Sequence, residues 1–317
     1  MGFIKKTTIA ILLMVSIVFS QGELFKTELV GYSANELSKY SGLKDISGYN
    51  RDFTVVVLDT GVTDHKDLSD SITIFKDFVN DLDEKYDDYG HGTEVSGIIA
   101  GNGYKSNGNY LGVNPSTQIC MLKVFNHYGE LDLVALTKAV NWIVENKEKY
   151  QIRVVNMSFG FEDYSFHNFV LEELINRLFL EEIILVGSAG NRGETDSEIT
   201  IPGRYDEVLT AGSLNYTPNS PYGITESNIS LFSSTKINGI GSRKPDFYVP
   251  GERVITTSSK SNDDYVVVSG TSFAAAILTG QITLLIEKYP ELDNKEIVEL
   301  VMGSTKASGR KVFVSRD

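Results

Sequence analysis

The sequence is organised around the heptapeptide Gly270-Thr271-Ser272-Phe273-Ala274-Ala275-Ala276. It leads into an almost wholly apolar segment, residues 274–286, whose length and alanine content predict a buried helix. Ser272 is therefore expected at the N-terminus of that helix. Unpaired backbone N–H groups and the positive end of the helix dipole meet there, so an oxyanion formed beside Ser272 would be stabilised. Taken alone, the Gly-Thr-Ser segment is equally consistent with a simple helix cap.

A nucleophilic serine needs a base, and the usual base is a histidine held by a carboxylate. Of the four histidines, only His91 begins an apolar segment between two glycines. Upstream, the β-rich run 54–58 ends at Asp59, and a carboxylate after a buried strand lies where open α/β sheets carry function. A turn role for Asp59 is an equal alternative. Asp59, His91 and Ser272 follow one another in the order of one convergent catalytic triad.

Four short segments resemble the signature blocks of the subtilisin-like serine proteases: Asp59-Thr60-Gly61, His91-Gly92-Thr93, Ser188-Ala189-Gly190-Asn191 and Gly270-Thr271-Ser272. The resemblance covers roughly residues 54–289. It implies endopeptidase activity and a three-layer, doubly wound α/β fold, in which a mostly parallel sheet has helices on both faces. It also implies that Asp59, His91 and Ser272 form the triad, and that the Asn191 side chain completes the oxyanion hole.

The same resemblance suggests where a substrate binds. Residues Ser158, Phe159 and Gly160 resemble the segment that pairs with the substrate backbone and lines the primary side-chain pocket, and Ser188, Ala189 and Gly190 belong to the facing block. The segment 194–201 before Pro202 carries three carboxylates and no base, and Glu162 and Asp163 follow the other wall. Cleavage after a basic residue is one hypothesis, because these acids would attract Arg or Lys. The alternative is that they face solvent.

A structural calcium site is a further expectation from the resemblance. Asp67 and the loop 102–109 loosely resemble the two segments that share a calcium ion in this family, with Asn102, Asn107 and Asn109 as further oxygen donors. Calcium requires six to eight oxygen ligands, which one carboxylate, amide oxygens and backbone carbonyls can supply. A Gly/Asn-rich surface turn explains the loop equally well.

The N-terminal region predicts export of a secreted protein. Lys5 and Lys6 precede an apolar run, residues 7–19, which is short for a membrane span and typical of a signal peptide ending near residue 20. An uncleaved anchor is the alternative. Residues 21–50 are interpreted as a short lead-in, too small to be a pro-domain with its own core, and residues 51–317 as the peptidase domain.

The composition limits the classes of molecule that the protein is expected to bind. The 317 residues carry a formal charge of −13, and loss of the predicted signal peptide with its two lysines and no acid would make it −15. Such an acidic chain disfavours nucleic acid and anionic membranes, so the expected partner is a peptide or protein substrate of a monomeric enzyme. The single cysteine, Cys120, excludes a disulfide framework and is predicted to be a buried strand residue.

Three roles remain open from the sequence. The segment 94–103, together with the missing pro-domain, loosely resembles the leader peptidases of bacterial lantibiotic systems, which favours a dedicated processing protease. A general degradative exoenzyme is the alternative. A peptide-binding pseudoprotease is the non-enzymatic alternative, and the intact Asp, His and Ser argue against it.

Overall fold

The computed structural model describes residues 31–39, 52–161, 165–193, 198–216, 227–235 and 244–304. The predicted signal peptide therefore lies outside the described residues. The strands are β1 Tyr32–Ser33, β2 Thr54–Asp59, β3 Ile72–Asp77, β4 Gln118–Lys123, β5 Ile152–Met157, β6 Ile184–Ser188, β7 Val208–Tyr216, β8 Ser227–Ile229, β9 Phe247–Pro250, β10 Val254–Thr257 and β11 Tyr265–Val268. The helices are α1 Ala34–Lys39, α2 His91–Ala100, α3 Leu133–Tyr150, α4 Ser165–Leu180, α5 Thr271–Lys288 and α6 Asn294–Ser304.

The main sheet has the strand order β3-β4-β2-β5-β6-β7-β8, and β9 also pairs with β7. All these pairings are parallel except that of β8 with β7. Strands β3 and β4 thus lie on one side of β2 in the sheet, and the later strands lie on the other side. In open α/β sheets, a site forms beyond the carboxyl ends of the strands at such a reversal, and the last residue of β2 is Asp59.

Helices cover both faces of the sheet because successive strand residues point to opposite faces. Val55 and Val57 of β2 lie in an apolar core with α2 and α5, whereas Val56 and Leu58 lie in a second core with α3 and α4. All four residues are 0 % exposed, which explains why the strand is uniformly apolar rather than alternating. The three-layer, doubly wound fold expected from the sequence is confirmed.

A small second sheet, of order β1-β10-β11, joins the lead-in to the rest of the molecule. Tyr32 of β1 pairs with Val254 in parallel. In the following α1, Ala34 and Leu37 are buried in the same core as α2 and α5. The described part of the lead-in, residues 31–39, therefore packs as an integral part of the folded unit.

The secondary structure follows the sequence patterns closely. The apolar segment 274–286 lies within α5, whose residues are buried almost throughout. Cys120 lies on β4 and is 0 % exposed, and burial raises the pKa of its thiol, so the thiolate needed for reactivity is disfavoured. Across the described part of the chain, every helix falls short of the length and apolar character needed to span a bilayer.

Candidate active site

The site begins at the carboxyl end of β2, where Asp59 meets His91. The Asp59 side chain is buried, and its two carboxylate oxygens lie 2.9 and 3.0 Å from Nδ1 of His91. The backbone N–H of Thr60 donates to Oδ1 of the same carboxylate at 2.7 Å. Asp59 therefore fixes the orientation of the imidazole, with Nε2 directed away from the carboxylate and available to exchange a proton.

His91 is the first residue of α2, and its position depends on Asp87, which the sequence motifs did not single out. The carboxylate of Asp87 accepts hydrogen bonds from the N–H of Gly90 at 2.7 Å and from the N–H of Thr93 at 2.9 Å. It also accepts a hydrogen bond from the hydroxyl of Thr60 at 2.8 Å. Asp87 thus caps α2 and ties it to the turn after β2. In the sequence, the only sign of this role was that Asp87 is an acidic residue four positions before the histidine that begins α2.

Gly92 allows the close approach of α2 to the turn after β2. A Cβ atom at Gly92 would lie 2.1 Å from the carbonyl oxygen of Gly61, a distance that no real side chain tolerates. The contact between Asp59 and His91 therefore requires glycine at this position.

Burial and charge act in opposite directions on His91. Burial by itself would lower the pKa of the imidazole, but the negative charge of Asp59 and its hydrogen bond outweigh burial and raise the pKa to about 8. Glu94, one helical turn further on, has a pKa raised to about 7 by burial. Both groups therefore change charge in the range where an extracellular or cytosolic enzyme works.

Ser272 is the second residue of α5, as predicted. The ring of Phe273 lies 5.5 Å from the ring of His91, so the start of α5 and the start of α2 adjoin each other. The N–H groups of Thr271, Phe273 and Ala274 donate to other protein groups. Within the described part of the chain, no group accepts from the Ser272 N–H. It remains a free donor at the positive end of a long helix.

Asn191, which follows the end of β6, contacts the start of α5. Its side-chain carbonyl oxygen accepts from both the N–H and the hydroxyl of Thr271, each at 2.9 Å. The amide nitrogen is consequently directed the other way, and a Cβ atom built on Gly270 would lie 3.4 Å from it. Two N–H donors, one from Asn191 beside Gly270 and one from Ser272, thus lie at the start of α5, as an oxyanion hole requires.

The predicted substrate-binding segments also meet at Ser272. Ser158, just after β5, donates its hydroxyl to the carbonyl oxygen of Ser272 at 2.9 Å. Ser188, the last residue of β6, donates its hydroxyl to the carbonyl oxygen of Phe159 at 3.0 Å. The two segments are therefore held side by side next to the serine. Of the acidic residues considered for specificity, Glu162, Asp163 and residues 194–197 lie outside the described residues.

The expected calcium ligands are only partly available. Asp67 does meet the loop 102–109, since the N–H of Asn102 donates to the Asp67 carbonyl oxygen at 3.0 Å. However, the buried carboxylate of Asp67 already accepts from the Lys105 N–H at 2.8 Å and from the Tyr265 hydroxyl at 2.7 Å. The side-chain oxygen of Asn102 accepts from the Tyr104 N–H at 3.0 Å.

Charge also opposes a cation at this junction. Lys66 and Lys105 place their ammonium groups 2.9 and 3.0 Å from the carboxylate of Asp263. Asn109 turns its amide nitrogen to the carbonyl oxygen of Ser106, and Asn107 adopts a left-handed turn conformation. Among the described residues, no three acidic or histidine side chains are grouped around a common point. Protein donors thus occupy the side-chain oxygens of Asp67 and Asn102, and together with the two lysines they make this junction a poor fit for a calcium ion.

This arrangement predicts stability that is independent of calcium. Chelator should leave the melting temperature unchanged, whereas Tyr265→Phe should lower it, because the buried Asp67 carboxylate loses a donor at a cost of about 1–3 kcal/mol. Thermal unfolding measures both effects, with Tyr104→Phe as the control on an exposed tyrosine of the loop 102–109. A drop in melting temperature with chelator in the wild type would contradict the prediction.

Comparisons with known proteins agree with this geometry. The family model of the subtilase family matches residues 50–316. Serine protease AprX of Bacillus subtilis (strain 168) is 31% identical over 270 residues, covering 80% of this chain and 61% of AprX. The Major intracellular serine protease of the same organism is 32% identical over 259 residues, covering 78% of this chain and 72% of that protein.

A solved structure agrees on the fold. Sphericase superposes with a TM-score of 0.75 at 21% sequence identity, covering 90% of this chain and 93% of sphericase. The chain spans 61% of the length of AprX.

Proposed function

The chain belongs to the subtilase family, and on that premise we propose that it is a serine endopeptidase with Ser272 as its nucleophile. The observation that carries the proposal is the convergence of three elements. The carboxylate of Asp59 holds His91 at 2.9 Å, the start of α5 adjoins the imidazole, and two N–H donors lie at the start of that helix. Each of these features supports one step of acyl transfer.

In the proposed reaction, Nε2 of His91 takes the hydroxyl proton of Ser272 as the serine oxygen attacks the carbonyl carbon of the substrate. The N–H groups of Asn191 and Ser272 bind the resulting oxyanion. His91 then passes its proton to the leaving amine as the C–N bond breaks, which leaves an acyl-enzyme. Water, deprotonated by His91, then attacks the acyl group, and His91 returns this proton to the Ser272 oxygen as the ester C–O bond breaks.

Labelling with a small fluorophosphonate tests the activity directly, because the reagent reacts only with an activated serine. We expect the wild type to be labelled at Ser272 and to cleave peptides. A protein that is not labelled and binds peptides without cutting them would be a pseudoprotease, and this result would overturn the proposal.

Loss of the Asn191 amide should reduce turnover more than substrate binding. Asn191→Ala is expected to lower kcat by about 10²–10³-fold with little change in KM, because the amide acts on charge that exists only in the transition state. Steady-state kinetics on one peptide measure this. An unchanged kcat would show that another donor binds the oxyanion. Asn215→Ala, at an asparagine on β7 outside the site, is the control.

A finer proposal concerns the biological role. We propose a processing protease that cuts a peptide precursor at defined positions, such as a lantibiotic leader peptidase, rather than a general degradative enzyme. The motif 94–103, which loosely resembles the corresponding segment of such leader peptidases, supports this. Purified enzyme incubated with a random peptide library should cut few sequences. Indiscriminate cutting would favour the degradative role.

Export is proposed from the N-terminal sequence alone. The basic pair Lys5-Lys6 and the apolar run 7–19 support a signal peptide. An uncleaved N-terminal anchor is the alternative. Mass spectrometry of the mature N-terminus, after expression in a secreting host, distinguishes a chain that begins near residue 21 from an intact one.

A further inference from the structure

Three segments enclose the space beside the nucleophile. The first segment, residues 158–161, follows β5. The second, residues 188–190, begins at the last residue of β6. The third, residues 198–201, comes just before Pro202. The first two are tied to each other and to Ser272 by the hydroxyls of Ser158 and Ser188. The third is tied to the second, since the N–H of Thr200 donates to the Ala189 carbonyl oxygen at 2.9 Å.

A substrate side chain next to the cleaved bond has to enter the gap between these segments. Its carbonyl carbon must reach Ser272 while its carbonyl oxygen points to Asn191. If the segments 158–160 and 188–190 bind the substrate as their resemblance to the family implies, the side chain of the same residue enters between Gly160 and Gly190, which lack side chains. What lies between these glycines decides how large the side chain may be.

The side chain of Thr200 lies between them. A Cβ atom built on Gly160 would be 2.0 Å from Oγ1 of Thr200, and one built on Gly190 would be 2.7 Å from its Cγ2. Thr200 therefore contacts both glycines at once. It is 8% exposed, while Gly160 above it is exposed, so the threonine forms the floor of the gap.

Thr200 is also held firmly. Its hydroxyl donates to the carbonyl oxygen of Ala189 at 3.3 Å, the same atom that accepts its N–H. The next residue, Ile201, exchanges two backbone hydrogen bonds with Phe161, at 2.9 and 3.1 Å. A rotation that moved the Thr200 side chain out of the gap would break the hydrogen bond from its hydroxyl to Ala189. The backbone of Thr200 and Ile201 is held by its own hydrogen bonds.

We propose that Thr200 closes the primary specificity pocket, so that this enzyme cleaves after residues with small side chains such as Ala, Ser or Gly. The inference rests on the proposed endopeptidase activity. A Phe, Leu or Arg side chain would overlap the threonine, because close-packed atoms leave no room for added methylene groups. Thr200 carries no negative charge, so this proposal and the hypothesis of cleavage after a basic residue predict different substrates.

The test uses succinyl-Ala-Ala-Ala-X p-nitroanilides, with X as Ala, Leu, Phe or Arg, and three variants of Thr200. We expect the wild type to hydrolyse the Ala substrate with a kcat/KM at least about tenfold above that for Phe. Thr200→Gly should raise the Phe-to-Ala ratio by at least about tenfold, and Thr200→Ala should raise it by less. Thr200→Val keeps the volume and loses the hydroxyl, so the ratio should stay as in the wild type.

Fluorophosphonate labelling of each variant distinguishes failure of the pocket assignment from failure of the proposed activity. A labelled wild type that hydrolyses Phe or Arg as well as Ala overturns the pocket assignment alone. An unchanged Phe-to-Ala ratio in both labelled Thr200→Gly and labelled Thr200→Ala does the same. A wild type that is neither labelled nor active overturns the proposed activity, and the pocket assignment with it.

Discussion

Ser272→Ala is expected to lower kcat by about a millionfold, with KM nearly unchanged. The serine oxygen forms the acyl-enzyme, so its removal closes the covalent route, and alanine offers no replacement nucleophile. The residual rate comes from substrate binding and from the oxyanion donors, which the substitution leaves in place. Single-turnover kinetics on one peptide, together with fluorophosphonate labelling, measure the loss.

Ser69→Ala is the matched control for this substitution. Ser69 is an exposed serine whose hydroxyl donates to the carbonyl oxygen of Lys66, on a surface turn outside the site. This variant should be labelled and should turn over substrate as the wild type does. Labelling that persists in Ser272→Ala would show that another residue reacts, and the assignment of the nucleophile would be wrong.

Asp59→Asn is expected to lower kcat/KM by about 10⁴-fold. The amide cannot stabilise the imidazolium that forms during the reaction, and it favours the wrong tautomer of His91. Since the Asp59 carboxylate is buried and accepts the Thr60 N–H, the substitution alters charge more than shape. Asp64→Asn, at a side chain that is 62% exposed and paired with Lys85, is the control and should keep full activity.

The pH profile of the same variant gives a second, independent readout. In the wild type, His91 must be neutral to act as a base, and its pKa is raised to about 8. The kcat/KM should therefore fall about tenfold for each pH unit below that value. Without the charge of Asp59, burial is the largest remaining influence and favours the neutral imidazole. The acid limb should then move to lower pH, and an acid limb that stays near pH 8 in Asp59→Asn would contradict this explanation.

Much of the architecture could be predicted from the sequence, because it depends on local patterns. The apolar run 54–58 predicts a buried strand, and the segment 274–286 predicts a buried helix, since burial on all sides leaves no polar face. The order of Asp59, His91 and Ser272 with their glycine neighbours predicts the triad. These signals each lie within a few residues, where side-chain type and backbone conformation are directly coupled.

The tertiary structure alone decided what fills the spaces between these segments. Tyr265 donates to Asp67 across a separation of 198 positions in the chain, and Thr200 lies between Gly160 and Gly190. The sequence by itself suggested calcium ligands at Asp67, because it shows which charges are present but not which donors reach them. Hydrogen-bond partners and free volume are set by distances between segments remote in sequence, and only the folded chain brings these segments together.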